Sequence, residues 1–478
     1  MGVEVARPLR LKRSAGRPAQ LVDSGKPRWR VSVNGLMGMG LWVLLWLGYN
    51  TDIARVFKLN FPANNIDLIH GIRAFSPPLA AWTATLMIFT RARRLFFWLV
   101  GPLGLMLFFA TTGLVSSATL SDKPIIAVYY AINYLAIVLV LLAIALVEDP
   151  LPDLLKVLQL TWGVGTLITL GLLGAIPILG SQVIVQTEST SLDVRAYTNV
   201  GEIMGMASTR NTGFARYAAV SALVAFCGVF RKGSLAVRVI WGILLGASVY
   251  ALFIANGRTE ILGFLGGLML ILGVEKSKRV VSFMVVIAVT ILLGIRGFYS
   301  EFFLYLTRTG SIDLSLTGRT HIWQGGWRLL WQSPWVGLGF QADRIYGVGH
   351  MHNAFLHVLV QSGFVGGLAI IIGIAIVWYY TIQYFFINQP ADKSLIPAEI
   401  PAVLLFTTIS SITESTFAYF SAAWLLCAPI VPYVMALHRR MQTMSRKAAQ
   451  ERGLRIRLER RNSRLSESPV ETPRPTSG

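Results

Sequence analysis

The chain has 478 residues, 54% of them hydrophobic and only 14% charged, with a mean hydropathy of +0.59. A soluble domain carries about a quarter charged residues, so the composition excludes a soluble enzyme and points to a polytopic membrane protein. The formal charge of +20 gathers at the ends: residues 1–30 hold eight Lys/Arg against two acids, and residues 439–478 hold eleven against four. Basic ends flanking apolar runs suit an anionic cytoplasmic leaflet, and without interleaved aromatics they do not suit nucleic acid.

Residues 1–32 read as a basic cytoplasmic arm, with no small-residue cleavage site to make them a signal peptide. Apolar runs follow at 35–49, 72–90, 95–115, 124–147 and 154–179, the last two separated by an acidic, Pro-bracketed turn. Most are long enough to cross a hydrocarbon core of about 30 Å at about 1.5 Å per residue. A Ser/Thr-rich polar loop at 180–211 alternates in a way that suits a short strand or hairpin. Runs at 212–230, 235–255 and 261–274 come next, the last two joined by a tight polar turn at 256–260. A run at 280–298 opens into a long loop, 299–353, before the final runs at 354–380, 400–412 and 418–437. The basic tail, 438–478, is expected to be partly helical. Cys227 and Cys427 lie inside apolar runs and read as small hydrophobes.

The fold expected is therefore all-α, with about twelve transmembrane helices over 33–437 and a large loop carrying interfacial helices. Lys and Arg in the short loops 91–94, 231–238 and 275–279 fall on the same side as both basic ends. That side is the cytoplasm. The loops 180–211, 256–260 and 299–353 then face outward.

Arginines should be scarce on that outer face, yet several cluster where apolar runs end. Arg258 stands in the 256–260 turn beside Asn256, Thr259 and Glu260, where an ionisable group is costly unless it is paired or serves a ligand. Snorkelling to water, with Glu260 as partner, is the plainer reading. Arg319 opens an amphipathic segment, Ile322, Trp323, Trp327, Leu330 and Trp331, at three- to four-residue spacing. A helix there would lie in the membrane interface, its arginine either forking onto phosphate oxygens or solvating the helix start. His350 and His352 precede the tenth run, and Asn353 suits a helix cap. Histidine exchanges a proton near neutral pH, while a metal site at this pair lacks a third ligand of convincing spacing. His357 reads as a packed or hydrogen-bonded core residue. Arg195, Arg210 and Arg216 add charge, and together the arginines describe an electropositive pocket at membrane level suited to a diphosphate. A Walker lysine loop is missing, and the glycines of 35–40 lie inside an apolar run rather than after a strand, so nucleotide-driven chemistry is not indicated.

Gly318-Arg319 with Ile322-Trp323, Pro334 with Gly337-Leu338-Gly339, His352-Asn353-Ala354-Phe355-Leu356, and Ser362-Gly363 with Gly366 resemble the signature region of the O-antigen ligase and O-antigen polymerase superfamily. The resemblance implies a GT-C-like membrane glycosyltransferase that needs no metal or other cofactor and uses a polyprenyl-diphosphate-linked glycan. Its partners would be that donor, a glycan, lipid or protein acceptor, and membrane lipids. It implies His352 as the catalytic base or its close partner at the acceptor hydroxyl, Arg319 and Arg258 on the donor diphosphate, and Arg210 as a looser match; Arg216, Asn353 and Glu260, singled out by their positions, are substrate-binding candidates. Gln361 stands where an acid is common, and Asn256-Gly257 where small hydroxyl residues are usual. A transporter or flippase of lipid-linked oligosaccharide is the alternative, although the matching halves of many transporters are not evident here.

Overall fold

The computed structural model describes residues 33–48, 68–91, 95–179, 184–185, 209–231, 233–255, 257–275, 319–387 and 397–466. The basic arm, the run at 280–298 and the first part of the long loop lie outside them.

Helices α1 (Val33–Gly48), α2 (Leu68–Phe89), α3 (Leu95–Leu99), α4 (Pro102–Thr119), α5 (Pro124–Ala145) and α6 (Pro150–Leu179) form the first half. Two two-residue strands, β1 (Ile184–Val185) and β2 (Thr209–Arg210), pair in parallel, so these two strands do not pair as a hairpin. The second half follows as α7 (Asn211–Phe230), α8 (Leu235–Ala255), α9 (Arg258–Glu275), α10 (Arg319–Gln332), α11 (Ala342–Ile345), α12 (Ala354–Ile382), α13 (Glu399–Thr413), α14 (Ala422–Cys427) and α15 (Ile430–Ser466). Among the described residues, seven helical stretches are long and apolar enough to cross a membrane. The chain is a multi-pass helical membrane protein.

Several expected runs are shaped differently. The run at 95–115 is two helices, because Gly101 takes φ 150° and Pro102 starts α4. Helix α9 begins at Arg258, so the 256–260 turn shrinks and Glu260 joins the first helical turn. The run at 418–437 is split: an irregular segment carries residues 414–421, and α14 is separated from α15 near Pro429. Helix α15 then continues past the apolar residues to Ser466.

Packing follows composition. Helix α5 is buried along most of its length, and α7 is buried over 78% of its apolar window, which makes them central. Helix α8 is only 17% buried and exposes Leu235, Ile243 and Tyr250. In a bilayer those side chains face lipid. Around the centre, α12 packs on α4, α13 on α9, and α2 on α5.

Helix α12 is broken about a third of the way from its N-terminus. Ser362 (φ −133°) and Gly363 (φ 62°) leave helical geometry, which frees backbone groups that a bilayer would penalise by several kcal/mol each. The turn after α10 supplies their partners. Leu338 and Gly339 donate N–H groups to the carbonyls of Val360 (2.9 Å) and Gln361 (2.9 Å), while Phe364 and Val365 donate to Pro334 (2.7 Å) and Trp335 (3.1 Å). A Cβ at Gly363 would run into the Trp335 carbonyl, and one at Gly337 into the backbone of Gln361 and Ser362. Two backbones can be stitched this closely only if both positions are glycine. The stitch fixes α10 and the loop after it against α12.

Candidate active site

The end of α13 is the hub on which the site is assembled. Its last carbonyls and the residue after it, Glu414, have no helix to continue into and are taken up by side chains from three other segments. Asn353 caps α12, its Oδ1 accepting from the Leu356 N–H at 2.9 Å, and its Nδ2 donates to the Ile412 carbonyl at 3.1 Å. Arg319, the first residue of α10, donates from Nη1 to the Thr413 carbonyl at 2.5 Å and from Nη2 to Glu414 Oε1 at 3.4 Å. The Thr413 hydroxyl donates to Thr259 in the first turn of α9 at 2.8 Å.

Glu414 is 5% exposed and is met from three sides. Arg216 Nη2 lies 2.9 Å from its Oε2, Arg319 lies on Oε1, and His352 Nδ1 lies 3.1 Å from Oε2. Burial alone would raise its pKa. Arg216, His352 and Arg319 outweigh burial and hold it down to about 2, so the carboxylate is ionised at any pH at which the protein works. Arg216 also reaches Glu260 Oε1 through Nε at 3.3 Å, bridging two buried carboxylates. Removing one member of such a set strands a buried charge, at about 3–5 kcal/mol.

His352 is the most exposed side chain of those that meet Glu414. Its side chain is 26% exposed, and its backbone takes φ 49°, a conformation rare for a residue with a Cβ. An anionic Glu414 on Nδ1 selects the tautomer with the proton on Nδ1. Nε2 is then a lone-pair acceptor, as a general base requires.

Behind His352 sits a second cluster. Asp343, in α11, is fully buried, with His357 Nε2 3.3 Å from Oδ1 and His350 Nδ1 3.7 Å from Oδ2. Burial lowers the pKa of His350 to about 4, so its ring is neutral at pH 7. Two sets of side chains place their ligand atoms within 4.8 Å of one another, close enough to hold a metal ion: Asp343, His350 and His357, and His350, His352 and Glu414.

Of the residues singled out from the sequence, the structure joins Arg216, Glu260, Arg319, His352 and Asn353. Glu260, a neighbour of Arg258 in the sequence, binds Arg216. Arg258 opens α9 and is half-buried, two residues before Glu260. Arg210 is the last residue of β2, directly before α7, and its side chain is outside the described residues, as is Arg195. Trp327 and Trp331 of α10 point outward at 47% and 66% exposure, while Leu329 and Leu330 face α12. Sequence reasoning missed Glu414 and Asp343. Glu414 was legible in principle, as a carboxylate at the C-terminal end of a short apolar run in a chain with a surplus of arginines. Asp343 lies in a loop where only folding reveals its partners.

Comparison with known proteins places part of this assembly inside a family match. A family model described as O-antigen ligase matches residues 243–371, which include Arg258, Glu260, Arg319, Asp343 and His352 but neither Arg216 nor Glu414. The exopolysaccharide production protein ExoQ of Rhizobium meliloti (strain 1021) is 24% identical over 269 residues. That likeness covers 47% of this chain and 58% of ExoQ, so the chain spans rather more than half of that relative's length. The whole signature region, 318–366, lies inside the family match, so this part of the chain is similar to the O-antigen ligase family, and the chain is similar to an exopolysaccharide production protein.

Proposed function

We propose that the protein transfers or polymerises an oligosaccharide, moving it from a polyprenyl-diphosphate-linked donor to an acceptor hydroxyl. The observation that carries this reading is the Glu414–His352 pair flanked by Arg216 and Arg319. His352 Nε2 takes the proton of the acceptor hydroxyl while its oxygen forms the new bond to the anomeric carbon. The bond from that carbon to the diphosphate oxygen breaks, and its electron pair leaves on the diphosphate. Glu414, fixed and ionised, stabilises the imidazolium formed on His352.

Arg319 and Arg258 serve the leaving diphosphate. Arg319 spends two donors on Thr413 and Glu414, and a guanidinium has five N–H groups, so it retains donors for a phosphate. Arg216, tied to both Glu260 and Glu414, holds the carboxylates in place, and Asn353 ties the start of α12 to α13. Positive charge supplied by fixed arginines lets the step run without a metal on the diphosphate. Attack opposite the leaving group inverts the anomeric carbon.

The topology that fits is a cytoplasmic-membrane protein with both basic ends, 1–32 and 438–478, in the cytoplasm, and with the site in the extracytoplasmic part of the 33–437 domain. The purified protein, given a polyprenyl-diphosphate oligosaccharide and a glycan, lipid or protein acceptor, should form product of inverted configuration. Retained configuration, or movement of the donor across vesicles without transfer, would replace this reading with another. Cysteine placed at Ile345 should react with an impermeant reagent from outside the cell.

A further inference from the structure

His352 carries the proposed chemistry from a strained backbone, and a left-handed non-glycine residue persists only where its surroundings over-determine it. One residue does most of that. Asp343 accepts the N–H groups of Val348 (2.9 Å) and Gly349 (3.1 Å) on its carbonyl, and that of Met351 (3.4 Å) on its carboxylate. The Met351 carbonyl takes the Trp323 indole N–H at 2.8 Å, tying the same turn to α10. The carboxylate of Asp343 also faces two imidazoles, one on each oxygen. His357 reaches it from the buried side of α12, and His350 reaches it from the turn itself. The His350 ring then stands edge-on to the His352 ring, with centroids 4.5 Å apart and an interplanar angle of 72°.

We propose that Asp343 is the positioning residue for His352: it shapes the 348–352 turn by backbone hydrogen bonds and, through the ring of His350, fixes the plane of the His352 imidazole opposite Glu414. A carboxylate suits this place because it accepts the Met351 N–H and sets its negative charge 3.3 Å from His357 Nε2 and 3.7 Å from His350 Nδ1. The two oxygens face different histidines, whose ligand atoms lie within 4.8 Å of one another, so a bound ion is the rival explanation of the same cluster.

This inference rests on His352 being the base. In the full-length protein, Asp343→Asn and His350→Phe are compared with wild type in the transfer assay. Both should lower kcat at least ten-fold while the donor KM stays within two-fold, because neither residue touches the donor. Phenylalanine preserves ring volume, so a packing role alone would leave kcat intact. Wild-type kcat in His350→Phe, or a donor KM rising in step with the loss of kcat, overturns the proposal. A stoichiometric transition metal in the purified wild-type protein, measured by mass spectrometry, also overturns it. Should Asp343→Asn fail to fold, His350→Phe decides alone. Retained transfer in His352→Ala would instead refute the base assignment, a result distinct from a fully active His350→Phe.

Discussion

Glu414→Gln changes one atom and removes one charge, and its consequence can be worked from the site. The carboxylate is ionised down to about pH 2 against an ordinary value of 4.5. That difference is worth roughly 3 kcal/mol of preference for the anion, at about 1.4 kcal/mol per unit. The group is 5% exposed, so solvent screening takes little of it away. Arg216 and Arg319 lose part of their compensation, and His352 loses the anion that offsets its charge during transfer. If the larger part falls on the transition state, about 3 kcal/mol corresponds to roughly a hundred-fold loss in kcat. The assay is steady-state transfer by purified protein in lipid nanodiscs, with kcat and donor KM resolved separately and folding followed by thermal melting. A Glu414→Gln variant that melts like wild type and turns over within two-fold of it would refute the reasoning. The linkage has a definite sign. The depressed value contributes stability above pH 4.5 that is lost only as pH falls through about 2, so this group should not alter the melting temperature between pH 7 and 5.

Arg258→Ala and Arg319→Ala should each raise donor KM about ten-fold or more, and unchanged donor affinity in both would dismiss their role at the diphosphate. Gly363→Ala combines a left-handed φ of 62° with a collision against the Trp335 carbonyl, and should destabilise the protein by about 2–4 kcal/mol, read as a lower melting temperature and loss of folded yield. His350, lowered by burial to about 4, binds its proton more readily in the unfolded chain. Stability should therefore fall as pH drops from about 6.5 towards 4, by at most about 3 kcal/mol, and a His350→Phe variant should show a flatter melting profile over that range.

How far the sequence reaches can be judged from particular residues. The apolar run 235–255 matches α8 end for end, because a lipid-facing helix is specified by its own composition. Helix α10 was equally legible, since its apolar residues recur at helical spacing. The break at Ser362-Gly363 was not, since it lies inside a long, mostly apolar run and the geometry is held by backbone bonds with residues 334–339. Charge was partly legible. Arg216, Arg319 and His352 stood out against apolar neighbours, but the anions that organise them, Glu414 and Asp343, lie far away in sequence or inside a loop. Their role depends on which helix ends meet, and local pattern does not encode that. Glu260 shows the same: it stood out beside Arg258 in the turn, while Arg216, which it binds, lies 44 positions earlier.

The central claim is that His352 accepts the acceptor's proton. Its most direct test is transfer by His352→Ala, purified and shown to fold, supplied with a polyprenyl-diphosphate glycan and an acceptor. The account predicts that donor still binds and that glycan transfer falls by at least two orders of magnitude. Transfer at the wild-type rate would contradict it.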